Sequence, residues 1–268
     1  MDERTVVVDG SPVHVVQGGT GPAVLLLHGS GPGTTGSGAW AATIEALGES
    51  WHLVAPDHAG FGRTPLPPGS RGGLRVWTEQ AAGLMDALGH RSYAVVGHSM
   101  GGAVALALAA TRPEQVTHVV PVSTMGAPGA PLSAELDAVW AAPATEEGAR
   151  DMLRRLLLDQ VLITEQAVAA RTAAMQAGEA AFETLFPPPS ARWAEDLTLS
   201  GQMLAAVRAA VLLVHGAQDR VTPLPDSLPL LDHLADVRLH VLGRCGHAPA
   251  VEHQHAFHRL LSNFLSEG

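Results

Sequence analysis

The sequence contains no lysine, so all 16 of its basic residues are arginine. Schiff-base chemistry, covalent attachment of pyridoxal phosphate and a P-loop each need a lysine, and the composition excludes all three. The single cysteine, Cys245, excludes an internal disulfide and a metal site built from cysteines. With a formal net charge of −10, the chain also lacks the basic surface that nucleic-acid binding requires.

Several kinds of segment are missing as well. No apolar run approaches the roughly 20 residues of a membrane span, so no membrane association is expected. The charged start, Met1-Asp2-Glu3-Arg4, lacks the apolar core of a signal peptide, which makes the cytoplasm the expected location. No Gly-x-Gly-x-x-Gly motif follows a predicted strand, and we predict neither a cofactor nor a metal. The expected partner is a small-molecule substrate, and the oligomeric state stays open, with a homodimer as one candidate.

Short apolar segments alternate with helical patterns along most of the chain, which indicates an α/β fold. Continuous apolar runs such as 23–27 are typical of strands buried on both faces of a mainly parallel sheet. The turn signal at 9–12 predicts an antiparallel hairpin at the start. Helices are expected over 37–47, 77–88, 100–111, 227–234 and 253–265. The predicted strands cover residues 5–9, 13–17, 23–27, 51–56, 93–96, 116–122, 211–214 and 237–241.

The pattern changes between residues 123 and 201. Apolar strands disappear there, and short segments rich in Ala, Leu, Glu and Arg predict three to five helices. We therefore expect a core formed by residues 1–122 and 202–268, with residues 123–201 inserted as a helical cap. The prolines expected to break these helices are Pro128, Pro131, Pro143 and Pro187-Pro188-Pro189.

A Gly-x-Ser-x-Gly sequence joins the strand at 93–96 to an Ala-rich helix. Such a sharp turn exposes one side chain, here Ser99, and needs small neighbours, which Gly97 and Gly101 provide. The start of the helix adds unpaired N–H groups and the positive end of the helix dipole, which favour an oxyanion. The segment therefore predicts a nucleophilic serine.

An activated serine needs a base, and the base needs an orienting acid. Two later strand ends carry these residue types, Asp219 after the strand at 211–214 and His247 after the strand at 237–241. The order Ser99, Asp219, His247 resembles that of the α/β-hydrolase family. The resemblance implies an α/β-hydrolase fold with a mostly parallel eight-stranded sheet flanked by helices. It also implies Ser99 as nucleophile, His247 as general base, Asp219 as its acid, and the backbone N–H groups of Ser30 and Met100 as the oxyanion hole.

Within that family, four motifs resemble the meta-cleavage product hydrolases, which cleave a C–C bond in 2-hydroxy-6-oxo-dienoates. The resemblance implies that Arg171, in the predicted cap, contacts the carboxylate of the dienoate, since an arginine pairs with a carboxylate through two hydrogen bonds. The other substrate-binding positions that we predict are Gly29, Gly31, His98 and Ala248. The motifs lie at residues 28–33, 99–102, 216–223 and 244–247.

Some positions depart from the pattern of these hydrolases. His98 stands where the family usually has Asn, and Ala248 stands where it has Trp. A further Asn is replaced by Ala41 or Ala42, and Thr172 follows Arg171 where a tryptophan is frequent. The alanines predict an enlarged pocket, so the substrate class stays open.

The leading hypothesis is hydrolysis of a C–C bond next to a ketone, or of an ester or lactone. The alternatives are a biosynthetic enzyme that catalyses cyclisation or rearrangement without hydrolysis, and a ligand receptor on the same fold. At the site itself, Asp57 and the loop after Val122 are the rival sources of an acid. Cys245 precedes His247 on one loop and is interpreted as a packed thiol.

Overall fold

The computed structural model describes residues 1–187 and 190–267. In these residues eight strands form one sheet in the order β1-β2-β4-β3-β5-β6-β7-β8. The antiparallel hairpin of β1 and β2 pairs with β4 in antiparallel fashion, and all later pairings are parallel. The strands are β1 (Asp2–Val8), β2 (Ser11–Gly18), β3 (Ala23–Leu27), β4 (His52–Pro56), β5 (Tyr93–His98), β6 (Val116–Val122), β7 (Ala210–Gly216) and β8 (Val237–Leu242).

Helices cover both faces of the sheet. Alternate residues of the central strand β3 point to opposite sides, and Leu25 and Leu26 belong to two separate apolar clusters. The helices are α1 (Gly36–Leu47), α2 (Leu74–Ala87), α3 (Met100–Thr111), α4 (Ala134–Trp140), α5 (Glu146–Leu156), α6 (Glu165–Leu185), α7 (Ala191–Asp196), α8 (Gly201–Ala205), α9 (Leu224–Ser227), α10 (Leu230–His233), α11 (Pro249–Glu252) and α12 (Gln254–Leu265). The α/β prediction and the mostly parallel eight-stranded sheet are confirmed.

The segment between β6 and β7 carries helices α4 to α8 and one 3-10 turn, Gln160–Leu162, and contains no strand in its described residues. The helical insertion at 123–201 stays a prediction, and its predicted end falls on the first residue of α8. Of the prolines expected to break the helices, Pro188 and Pro189 lie outside the described residues. None of the described helices combines the length and apolar content that a bilayer crossing needs.

One predicted helix is wrong in detail. Residues 227–234 do not form a continuous helix, because α9 ends at Ser227 and α10 begins after Pro229. Proline has no backbone N–H and clashes with the preceding turn, so it starts a new helix there instead of continuing the old one.

Candidate active site

Ser99 lies on the turn between β5 and α3 in a strained backbone conformation, with φ of 53° and ψ of −117°. The turn closes so tightly that a Cβ at Gly97 would lie 2.0 Å from the carbonyl oxygen of Gly101. A Cβ at Gly101 would lie 2.4 Å from the carbonyl oxygen of Leu27. Only glycine fits at these two positions, so the Gly-x-Ser-x-Gly spacing is what allows Ser99 to occupy the tip of the turn.

The loops after β7 and β8 bring Asp219 and His247 together. The Nδ1 atom of His247 lies 2.8 Å from Oδ2 of Asp219, and both side chains are buried. The other carboxylate oxygen, Oδ1, accepts hydrogen bonds from the backbone N–H groups of Val221 and Thr222 at 2.8 and 3.0 Å. Asp219 is therefore held in one orientation, and the hydrogen bond to Nδ1 leaves Nε2 of His247 as the nitrogen that can accept a proton.

Electrostatics keep this carboxylate ionised. Burial alone would raise the pKa of Asp219, but the positive charge that His247 can carry, together with hydrogen bonds from His215 and His247, lowers it far below the ordinary range. An ionised Asp219 stabilises an imidazolium at His247, which is what a general base needs when it takes a proton.

Ser99 and His247 line the same cavity. In the part of the chain that the structure describes, the Ser99 hydroxyl and the His247 imidazole do not form a hydrogen bond with each other. In catalytic sites the hydrogen bond between nucleophile and base is often long without substrate and tightens in the complex. The arrangement is consistent with a base that engages the serine when substrate is bound.

Two unpaired backbone N–H groups lie beside Ser99. The N–H of Met100 opens α3, the N–H of Ser30 follows β3, and neither donates to a backbone acceptor within the described ranges. The chain at Gly29 is so close that a Cβ there would lie 3.2 Å from Cβ of Ser99. The cap also reaches this loop, since the indole N–H of Trp140 donates to Oγ of Ser30 at 2.9 Å. The geometry suits an oxyanion hole at Ser30 and Met100.

The cavity has a volume of about 400 Å³ and lies between the sheet edge and the cap. Most of its lining is apolar, and α4, α5 and α6 contribute part of it. Of the predicted site residues, Met100 and Asp219 lie outside the lining, Met100 at the start of α3 and Asp219 behind His247. Those that line the cavity are Gly29, Ser30, Gly31, His98, Ser99, Arg171, His247 and Ala248.

Arg171 contributes a cation to this cavity from α6. Its Nη1 donates to the carbonyl oxygen of Pro32 at 3.1 Å and to Oγ1 of Thr34 at 3.3 Å, and both acceptors are neutral. No carboxylate forms a salt bridge with Arg171 within residues 1–187 and 190–267. Burial lowers the pKa of Arg171, although a guanidinium stays protonated at neutral pH. The cavity therefore holds a desolvated positive charge that an anionic group could neutralise.

Two neutral histidines flank the site, His28 fully buried and His98 half-buried in the cavity lining. The Nε2–H of His98 donates to the backbone oxygen of His247 at 2.8 Å, and burial together with the nearby His247 lowers the pKa of His98 to about 3. His28 donates from Nδ1 to the Gly29 oxygen, and its Nε2 accepts from the N–H of His58. Burial lowers the pKa of His28 as well. Both rings support the loops that carry the site.

The prediction about the alanines is only partly right. Ala248 lines the cavity, but Ala41 and Ala42 do not, and the alanine of α1 that faces the cavity is Ala39. Ala41 is two positions from Ala39 and points to the other side of the helix, whereas Ala42 lies one turn further along α1 and is exposed. The expectation that Ala41 and Ala42 enlarge the pocket is therefore wrong.

The other residues considered as a nucleophile or as the acid do not have these roles. Cys245 is fully buried, and burial together with Glu252 raises the pKa of its thiol to about 12, so the thiol is no nucleophile at neutral pH. Asp57 accepts hydrogen bonds from the backbone N–H groups of Gly36 and Arg63 at 2.7 and 2.9 Å. These bonds hold the turn after β4. The loop at 123–133, after β6, contains no Asp or Glu.

Two residues around Asp219 were not predicted from the sequence. The hydroxyl of Thr222 lies 2.9 Å from Oδ2 of Asp219 and 3.2 Å from Nδ1 of His247. On the other side, Nε2 of the buried His215 lies 3.4 Å from the same Oδ2. His215 lies near the end of β7 and Thr222 in the loop that follows, and a search for donors within four residues of Asp219 would have found them.

A serine on a strand-to-helix turn, with Asp and His after two later strands of a mostly parallel sheet, defines the class of α/β serine hydrolases. Comparison with known proteins agrees. The chain belongs to the α/β hydrolase fold family, whose model matches residues 22–254. It is an enzyme of this class.

Curated relatives cover nearly the whole chain. The chain is 34% identical over 266 residues to 2-hydroxymuconate semialdehyde hydrolase from Pseudomonas sp. strain CF600, covering 98% of this chain and 94% of the relative. It is 36% identical over 267 residues to 2-hydroxy-6-oxo-2,4-heptadienoate hydrolase from Pseudomonas putida, covering 98% and 96%. Among solved structures, the meta-cleavage product hydrolase CumD from Pseudomonas fluorescens IP01 has a TM-score of 0.94 at 32% identity, covering 98% of this chain and 97% of that one. The resemblance to meta-cleavage product hydrolases is thereby confirmed.

Proposed function

We propose that this enzyme hydrolyses a C–C bond next to a ketone in a 2-hydroxy-6-oxo-dienoate. The relatives named above carry substrates of this kind in their names and match the chain almost end to end. In this proposal Ser99, His247 and Asp219 form the catalytic triad, the N–H groups of Ser30 and Met100 form the oxyanion hole, and residues 123–201 form the cap over the cavity.

The observation that carries the proposal is the placement of Arg171. A half-buried guanidinium with only neutral acceptors, in the cavity that also contains Ser99, suits a substrate that carries a carboxylate at one end. A simple neutral ester would leave this charge unpaired. The apolar lining from α4 and α5 suits the other end of the substrate, beyond the ketone.

The reaction follows from these positions. Nε2 of His247 takes a proton from the nucleophile, which is the Ser99 hydroxyl or a water molecule activated at the triad. The new oxygen–carbon bond forms at the ketone carbon, and the carbonyl electron pair moves to the oxygen, where Ser30 and Met100 donate hydrogen bonds. When this oxyanion collapses, the C–C bond breaks and the departing carbon takes a proton from His247. If Ser99 is the nucleophile, the ketone carbon is left as an ester on Ser99, and a water molecule that gives its proton to His247 then hydrolyses this ester. One water is consumed by either route, and the products are a carboxylic acid and a dienoate.

The test compares a 2-hydroxy-6-oxo-dienoate with a neutral p-nitrophenyl ester as substrates. We expect Ser99→Ala to abolish turnover of both. We expect Arg171→Gln to lower kcat/KM for the dienoate about 100-fold, equivalent to roughly 3 kcal/mol for a charge-assisted pair, and to change ester cleavage by less than about threefold.

The matched control is Arg154→Gln, which removes an exposed arginine of the cap that pairs with Asp151. It should leave both activities unchanged. Equal losses on the two substrates in Arg171→Gln would show that Arg171 does not hold the carboxylate. Ester cleavage without any turnover of the dienoate would contradict C–C hydrolysis and identify a general serine esterase.

A further inference from the structure

Glu252, at the end of α11, makes contacts that the proposed reaction does not use. Its Oε1 accepts a hydrogen bond from the backbone N–H of Gly246 at 2.7 Å. Its Oε2 accepts from the N–H groups of Leu158 and Asp159, at 2.7 and 2.8 Å. The two oxygens of one carboxylate thus bind two different parts of the chain, the loop that carries His247 and the cap.

These two parts also touch directly. The N–H of His247 itself donates to the carbonyl oxygen of Leu156 at 2.8 Å. A Cβ at Gly246 would lie 2.9 Å from that same oxygen and 2.9 Å from the nitrogen of Leu158. The residue beside the base is therefore packed against the cap with no space between the two backbones.

The chemistry of the contact is specific for a carboxylate. Three N–H groups converge on Glu252, and none of the salt bridges in the described residues involves it. Backbone donors of this kind bind an ionised carboxylate strongly. A glutamine presents one donor group in place of an oxygen, so it must face at least one of these N–H groups with another donor, and one of the two connections is lost.

We propose that Glu252 is a positioning residue that holds the His247 loop against cap residues 156–159, so that the base is in place only while the cap is seated. This inference rests on the proposed role of His247 as the base. Glu252 does not belong to the cavity lining, so it acts on the reaction through His247 and not through substrate contact.

The first experiment uses Glu252→Gln in the full chain. We measure kcat and KM for substrate hydrolysis, and the rate constant for labelling of Ser99 by a fluorophosphonate probe. Each kcat is calculated per labelled site. We expect kcat and the labelling rate constant each to fall about tenfold or more, as displacement of a catalytic group does, while KM stays within about twofold. The control is Glu165→Gln, because Glu165 accepts two hydrogen bonds from Arg150 at the exposed surface of the cap and touches no core residue through them.

The outcomes separate a positioning role from a structural one. If only the fraction of labelled enzyme falls while the rate constant and kcat per site stay unchanged, Glu252 merely stabilises the fold and the inference is wrong. Wild-type values of kcat, KM and the labelling rate constant in Glu252→Gln would also refute the inference. Failure of the proposed function looks different: a wild-type enzyme that is labelled at Ser99 but does not turn over the dienoate is no C–C hydrolase, and one that is not labelled at Ser99 lacks the proposed triad.

A second variant approaches the contact from the cap. Leu158→Pro removes one of the two cap N–H groups that donate to Glu252, and the preceding residue, Leu157, already has the extended backbone that a proline requires, with φ of −108° and ψ of 131°. We expect kcat and the labelling rate constant to fall in this variant as well. In the double variant with Glu252→Gln, the fold-loss should be smaller than the product of the two single fold-losses, because both substitutions weaken the same connection between the His247 loop and the cap. Fully multiplicative effects would contradict the coupling. If either variant fails to fold, the other alone decides.

Discussion

The neutral His98 predicts a loss of stability in mild acid that one substitution should remove. In the folded chain its pKa is about 3, because the ring is buried and lies beside His247, whereas an exposed histidine has a pKa of 6.5. Below pH 6.5 the unfolded chain therefore takes up a proton at this position before the folded chain does. Proton uptake by the unfolded state lowers the free energy of unfolding as the pH falls.

The magnitude follows from the two pKa values. At pH 5 about thirty unfolded chains in thirty-one carry the proton, which stabilises the unfolded state by roughly 2 kcal/mol, against about 0.2 kcal/mol at pH 7. The difference hardly depends on the folded pKa so long as that value lies below about 4. His98 should thus account for about 2 kcal/mol of the stability that the enzyme loses between pH 7 and pH 5.

The assay is urea unfolding of wild type and His98→Gln at both pH values. Glutamine cannot titrate, and its amide N–H can replace Nε2–H as the donor to the backbone oxygen of His247. The wild type should lose about 2 kcal/mol more than the variant over this pH range. His240→Gln is the control, since this side chain is exposed on the edge strand β8 and should leave the pH dependence unchanged. Equal losses in wild type and His98→Gln, within about 0.5 kcal/mol, would refute the argument.

Two further predictions concern the site directly. Asp219→Asn should fold with a normal melting temperature but lower kcat by about 10⁴-fold, because an amide facing Nδ1 of His247 favours the wrong tautomer of the imidazole. A loss of kcat below tenfold would point to another acid. Trp140→Phe removes the indole donor to Oγ of Ser30. We expect kcat/KM to fall about fivefold, or roughly 1 kcal/mol, because Ser30 loses this hydrogen bond. An unchanged kcat/KM in steady-state assays would show that the bond does not affect the oxyanion hole.

The positions of Ser99, Asp219 and His247 could be predicted because each follows a strand. The carboxyl ends of parallel strands meet at one edge of the sheet, so residues far apart in sequence come together there without any long-range information. Strands such as 23–27 were equally clear, because a short apolar run bounded by glycine has few alternatives. The local sequence pattern was therefore sufficient to predict these strands and the three residues that follow strand ends.

The contacts between the cap and the site could not be predicted in this way. Glu252 and Trp140 bind partners 94 and 110 residues away, and nothing near either residue in the sequence marks it. The orientation of α1 was missed for a related reason. Ala39, Ala41 and Ala42 are the same residue type, so the sequence carries no difference in polarity that would show which alanine faces the cavity.

The cap is bonded to three loops that carry parts of the proposed machinery. Trp140 binds the Ser30 loop, Leu156 binds His247, and the hydroxyl of Ser133 donates to the carbonyl oxygen of Val221 beside Asp219 at 2.6 Å. Exchanging such an inserted segment between relatives is one way to change the residues that line the pocket. In this enzyme a transplanted segment that brings new pocket residues but lacks these three bonds would also lower the catalytic rate. Successful chimeras should therefore take the donor's cap together with its three matching loops, or graft the three bonding residues into the incoming segment.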